Sequence, residues 1–193
     1  MFIAYELPEA TLDLLAAADR AFLAADPEWT REKWVRRDLR HVTVRFLGAV
    51  PDAGVSGVFS ALREALAAHP PVSLHLSGIS AVPGSRRASM LWGTLSDEGG
   101  GARGLRQVVD SALGSRCPVP DGAHRFTPHV TLVRARRPRA AQPEALAAAR
   151  AVIAAGKETD RFVSVPALTL FASTLGPDGP AYESLGEILL GDE

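Results

Sequence analysis

His41-Val42-Thr43-Val44-Arg45-Phe46-Leu47 is answered far along the chain by His129-Val130-Thr131-Leu132-Val133-Arg134. In each stretch a histidine and a threonine stand two apart among β-branched and aliphatic neighbours, the composition of a strand whose alternate side chains share a face. His41 and Thr43 therefore project together, as do His129 and Thr131. The two stretches lie about half a chain apart, so two strands, one from each half, are expected to present two imidazoles and two hydroxyls to a shared cleft.

The surrounding pattern is mixed. Phe2 to Leu7 reads as a strand ended by Pro8, and Pro8 to Ala25 as a helix with Leu12, Leu15, Ala18, Phe22 and Ala25 at three-to-four spacing. Trp34-Val35 begins a short strand before the first motif. Ser56 to Ala68 is a second amphipathic helix, stopped by His69-Pro70-Pro71. Val72 to Ile79 alternates like a half-buried strand, and Ser89 to Leu95 returns. Leu105 to Leu113 and Pro143 to Ala155 are further helices. Cys117 to Arg125 is a loop, and Phe162 to Phe171 and Ala181 to Leu190 read as two closing strands. This order is α+β with an internal duplication of the motif, and no Gly/Ser-rich or Pro-rich linker divides it into tandem domains.

At 193 residues the chain suits one domain of two lobes over residues 1–193, burying roughly 70% of its unfolded surface. The single Cys117 excludes an intramolecular disulfide and a cysteine-rich zinc module. The opening segment, with Glu6 and Pro8, is not a targeting sequence, and no run approaches about 18 uninterrupted apolar residues. No membrane association and a cytoplasmic location are expected. A net charge of −1 argues against a general nucleic-acid coat protein. Local basic clusters nonetheless flank both motifs: Arg31, Lys33, Arg36, Arg37, Arg40 and Arg45 at the first, and Arg134, Arg136, Arg137 and Arg139 at the second.

Opposed imidazoles serve as an acid and base pair near neutral pH, one protonating a leaving oxygen while the other deprotonates the nucleophile. Hydroxyls and an arginine fork donate to phosphoryl oxygens as charge grows on them. Such a hydrolysis needs no metal, cofactor or covalent intermediate. No third ligand at metal-like spacing accompanies His41 and His129. His69, His75 and His124 read as solvent histidines, Gly99-Gly100-Gly101 as a hinge, and Cys117 as an inert thiol.

Taken together, these stretches resemble the RNA 2′,3′-cyclic phosphodiesterase family, also called 2′-5′ RNA ligase, of the two-histidine phosphoesterase superfamily. Nearly the whole chain takes part: the opening strand Phe2 to Pro8, Trp34-Val35, His41 to Gly48, Phe126-Thr127-Pro128-His129-Val130-Thr131-Leu132 with Arg134, and Ser173-Thr174-Leu175-Gly176 followed by Ala181-Tyr182-Glu183. The resemblance implies a bilobal, pseudo-twofold fold, with antiparallel sheets lining a central cleft and helices outside. It implies hydrolysis of a terminal 2′,3′-cyclic phosphate on RNA to a 2′-phosphate without a metal. RNA ends or small cyclic nucleotides are the expected substrates, and a monomer is the expected state. By position, His41 would be the proton donor and His129 the acceptor, with Thr43 and Thr131 holding phosphate oxygens and Arg134 neutralising them.

Alternation alone turns Arg134, five positions after His129, to the opposite face, unless the strand ends or bulges first. Arg45 has the parity of His41 and Thr43 and is a second candidate for the cleft. Arg40 stands where the family usually has an apolar residue and Tyr5 where it has an aliphatic one. Tyr5 or Phe2 is a candidate platform for a base, with core packing the competing fate of Phe2. Two other functions stay open: 2′-5′ ligation in the same cleft, and RNA-end or nucleotide binding without catalysis.

Overall fold

The computed structural model describes residues 1–114, 117, 126–176 and 179–191. Among the described residues the α-helices and strands follow in order: β1 (Phe2–Glu6), α1 (Glu9–Ala25), β2 (Lys33–Trp34), β3 (His41–Phe46), α2 (Asp52–Leu66), β4 (Val72–Val82), β5 (Ala88–Ser96), α3 (Gly101–Leu113), β6 (His129–Arg139), α4 (Pro143–Ala155), the single turn α5 (Glu158–Arg161), β7 (Phe162–Val165), β8 (Ala167–Gly176) and β9 (Gly179–Leu189). The fold is α+β and bilobal. One sheet runs β3-β1-β8-β9 and the other β2-β6-β5-β4-β7, and all pairings are antiparallel.

Apart from the edge strand β2, the two sheets are built to one plan. The motif strands β3 and β6 pair with β1 and β5, which pair in turn with β8 and β4, and β9 and β7 close the far edges. The helices follow the same pseudo-twofold rule. α1 leaves the first sheet and packs behind the second, where Leu15 abuts Gly93 of β5 and α4 lies alongside it. α3 leaves the second sheet and packs with α2 behind the first. Each lobe thus keeps a helix donated by the other. Leu12, Leu15, Ala18 and Phe22 of α1 are buried, and the large ones among such residues each contribute about 1.5–3 kcal/mol.

The segment read as one closing strand, Phe162 to Phe171, is two. Pro166 lacks the N–H that a ladder needs. β7 therefore ends at Val165 against β4, and β8 begins at Ala167 against β1 in the other sheet. Beyond Cys117 itself, the loop read from Cys117 to Arg125, with His124, lies outside the described residues. Among the described residues no helix is long and apolar enough to cross a membrane.

A bulge in each motif strand decides which side chains face the cleft. In β3, Thr43 pairs with Ala4 and Arg45 with Ile3, leaving Val44 without an opposite residue. In β6, Thr131 pairs with Trp92 and Val133 with Leu91, leaving Leu132 as the extra residue. One extra residue reverses the alternation beyond it. Arg134 thereby rejoins the face of His129 and Thr131, and Phe46 rejoins that of His41 and Thr43.

The same bulge corrects the reading of Arg45. Its side chain is 2% exposed and points away from the cleft. It donates to the carbonyls of Val109 and Asp110 at 3.3 and 3.2 Å and to that of Cys117, and meets the Asp110 carboxylate at 3.0 Å. Tyr5 is corrected as well: it is 1% exposed, in the core behind the first sheet. Burial and the nearby Asp97 hold its phenol well above the usual range.

Candidate active site

The two motif strands meet where the sheets approach, and between them lies a cleft of about 510 Å³. His41, Thr43 and Phe46 come to it from β3, and His129, Thr131 and Arg134 from β6. Ser173, Pro180 and Tyr182 of the β8–β9 hairpin close one side, and Lys33, Trp34 and Arg36 border another.

Each imidazole is oriented by a backbone carbonyl two residues before it. His41 Nδ1 lies 2.8 Å from the Leu39 oxygen and His129 Nδ1 2.8 Å from the Thr127 oxygen. A carbonyl only accepts, so Nδ1 carries the hydrogen in both rings and Nε2 is the nitrogen left for proton exchange. His41 Nε2 lies 3.1 Å from Thr43 Oγ1.

Aromatic rings fix both imidazoles from behind. Trp92 stacks on His129 with centroids 3.7 Å apart and planes 18° from parallel. Phe2 stacks on His41 at 4.9 Å, and Tyr182 meets the same ring edge-on at 5.3 Å. Phe2 also stacks on Phe171 at 5.2 Å. With its two faces taken and the residue 3% exposed, Phe2 supports His41 and has no face to offer a base.

This packing sets the charge balance. Burial pushes the pKa of His41 below its ordinary value, the Leu39 hydrogen bond partly opposes that, and the charges of His129 and Arg134 push the same way as burial. His129 is lowered by burial too, against the Thr127 hydrogen bond and with a further push from Arg134. The charge of His129 thus disfavours a charged His41, and the two rings titrate as a coupled pair rather than independently. Arg134 is exposed and donates to Met90 Sδ at 3.1 Å. Among the described residues no three His, Cys, Asp or Glu side chains gather at metal-binding spacing.

A family model for the 2′-5′ RNA ligase superfamily matches residues 20–170. The chain belongs to that superfamily. A member from Aquifex aeolicus, an RNA 2′,3′-cyclic phosphodiesterase, is 28% identical over 160 residues, 82% of each chain. Another of the same name, from Geobacillus stearothermophilus, is 26% identical over 81% of this chain, which spans only 52% of that relative's length. The crystal structure of TT0787 from Thermus thermophilus superposes with a TM-score of 0.72 at 27% identity, covering 100% of this chain and 98% of that one.

The other described histidines lie elsewhere. His75 pairs with Glu158 at 3.2 Å and His69 Nδ1 sits 2.8 Å from the Pro70 oxygen, both outside the cleft lining. Sequence reasoning missed Trp92, Tyr182 and Phe46. Trp92 was legible only as the residue opposite Thr131, which requires the β5–β6 register. Phe46 was masked by the bulge, although it is 68% exposed and one of the few large apolar side chains left in the open.

Proposed function

We propose that this protein hydrolyses the 2′,3′-cyclic phosphate at the 3′ end of RNA to a 2′-phosphate by metal-independent acid and base catalysis. The observation that carries this reading is the convergence of His41, Thr43, His129, Thr131 and Arg134 on one cleft with both Nε2 atoms available. The names of the curated relatives support the same substrate class.

His129 Nε2 takes a proton from water as the water oxygen bonds to phosphorus. His41 Nε2 gives its proton to the 3′ oxygen as the P–O3′ bond breaks. Thr43, Thr131 and Arg134 donate to the non-bridging oxygens, whose charge rises in the transition state. The product carries a free 3′-hydroxyl and a 2′-phosphate. His41 is left neutral and His129 protonated, and exchange with solvent restores the pair. The assignment of acid to His41 and base to His129 follows the family resemblance, since the two motifs are alike in geometry. The base of the terminal nucleotide rests toward Phe46, Pro180 and Tyr182, the apolar side of the cleft.

Both walls come from one chain, which supports action as a single two-lobed unit and a monomer. RNA as substrate fits a cytoplasmic site of action. The superfamily's name supports a second use of the same cleft, in which a 5′-hydroxyl replaces water and a 2′-5′ bond forms.

The test is incubation with an oligonucleotide ending in a 2′,3′-cyclic phosphate, in chelator, with and without a 5′-hydroxyl acceptor. A 2′-phosphate product supports hydrolysis, a longer 2′-5′-linked strand supports ligation, and a bound but unchanged end would reduce the protein to a binding module. A 3′-phosphate product would contradict the assigned direction of cleavage.

A further inference from the structure

The two sides of the cleft differ in charge. Toward the β8–β9 hairpin it is bounded by Phe46, Pro180 and Tyr182, and toward β2 by Lys33, Arg36 and Arg134. A net charge of −1 means that this gathering does not follow from a generally basic surface. Lys33 is paired with Arg134 in the β2–β6 ladder, and directly opposed residues project from the same face about 5 Å apart. A second cation therefore stands one strand beyond the arginine assigned to the reacting phosphate.

Among the described residues neither Lys33 nor Arg134 has a carboxylate within ion-pair distance. Arg36 holds Asp38 in a two-bond fork, Nη2–Oδ2 at 2.6 Å and Nε–Oδ1 at 3.1 Å, but both side chains are well exposed, so water screens the pair and a phosphate can compete for the same fork. The segment carrying these cations is anchored. The Val35 N–H donates to the Leu132 carbonyl at 2.8 Å, and Trp34 Nε1 donates to the Trp29 carbonyl at 2.9 Å. Little order remains to be imposed on the backbone when an anion arrives.

We infer that Lys33 and Arg36 form a second phosphate site, which takes the phosphodiester on the 5′ side of the terminal nucleotide. The preferred substrate is then an RNA strand of at least two nucleotides rather than a cyclic mononucleotide. This rests on the phosphodiesterase reading above and adds the direction of the strand: base toward Phe46, 5′ chain toward β2.

Three substrates separate the possibilities: a 2′,3′-cyclic mononucleotide, a dinucleotide ending in the cyclic phosphate, and the same dinucleotide with its internal linkage replaced by a neutral methylphosphonate. The wild-type protein is expected to turn over the charged dinucleotide with kcat/KM roughly tenfold above the neutral one, as expected for two exposed charge contacts. In Lys33→Ala/Arg36→Ala that ratio falls toward one, and Lys33→Arg keeps most of it. Equal rates on the charged and neutral dinucleotides, or a ratio that survives the double substitution, overturns the proposal while leaving the phosphodiesterase reading intact. No turnover of any of the three defeats both. The wild-type comparison decides the matter even if the double variant does not fold.

Discussion

Phe46 and Arg134 are structural equivalents: each is the fifth residue after its motif histidine, and each is returned to the cleft by a one-residue bulge, at Val44 and at Leu132. The pseudo-twofold pair of strands thus offers an aromatic ring on one wall and a guanidinium on the other. That difference gives an otherwise symmetric cleft a direction. Arg134→Met is expected to lower kcat/KM on a cyclic-phosphate end by about 10- to 100-fold, the loss of one charged hydrogen bond. Arg134→Lys recovers only part, because an ammonium lacks the planar fork. Phe46→Ala is expected to raise KM with kcat within a few fold. Steady-state kinetics on one oligonucleotide checks all three.

The pH profile follows from the covered imidazoles. The acid must be protonated and the base neutral, so kcat/KM is bell-shaped. Burial lowers the pKa of both rings. The two limbs belong to the coupled pair, and both are expected below the ordinary histidine value of about 6.5. The maximum is expected on the acid side of neutrality.

Trp92 gives a handle on one ring. Trp92→Ala admits water to the covered face of His129, and the pKa of that imidazole is expected to rise toward its ordinary value, with the limb of the rate profile that follows it moving to higher pH. Rate profiles with an imidazole NMR titration measure both shifts. An unchanged His129 titration would mean that the indole does not set the state of the ring.

Arg45 is a residue of stability. Arg45→Met removes the guanidinium from the Cys117 carbonyl and from the Asp110 carboxylate, and takes the added side-chain donor from the Val109 and Asp110 carbonyls at the end of α3, and a loss of about 2–4 kcal/mol is expected. Urea unfolding reads this directly. The KM of the folded fraction should stay near that of the wild type, whereas a phosphate contact would raise it.

Arg40, the residue before His41, is buried against Asp19 of α1 and also donates to the Val35 carbonyl. Arg40→Met strands a carboxylate in the core and is expected to cost about 3–5 kcal/mol, whereas Arg40→Met with Asp19→Leu should recover most of that. A double-mutant cycle by urea unfolding tests the coupling.

The repeated His-x-Thr word carried the two motif strands, the duplication and the pairing of the walls, because alternation over three residues is short enough to survive any later irregularity. What it could not carry was the side-chain direction beyond each threonine. Arg45 and Arg134 exchange fates through one extra residue apiece, and a bulge has no local signature in Val44 or Leu132. The split of Phe162 to Phe171 did have one, Pro166 in mid-run. Trp92 and Tyr182 were hidden for another reason: their roles exist only in the register of β5 on β6 and of β8 on β9.

The central claim is that His41 and His129 work as one acid and base unit. Single-turnover rates of His41→Ala, His129→Ala and the double variant on a cyclic-phosphate oligonucleotide test it most directly. Each single change is expected to lower the rate by at least about 100-fold, and the double by little more than the worse single, as for residues that act together. A single variant within tenfold of the wild type, or losses that multiply in the double, would contradict the account.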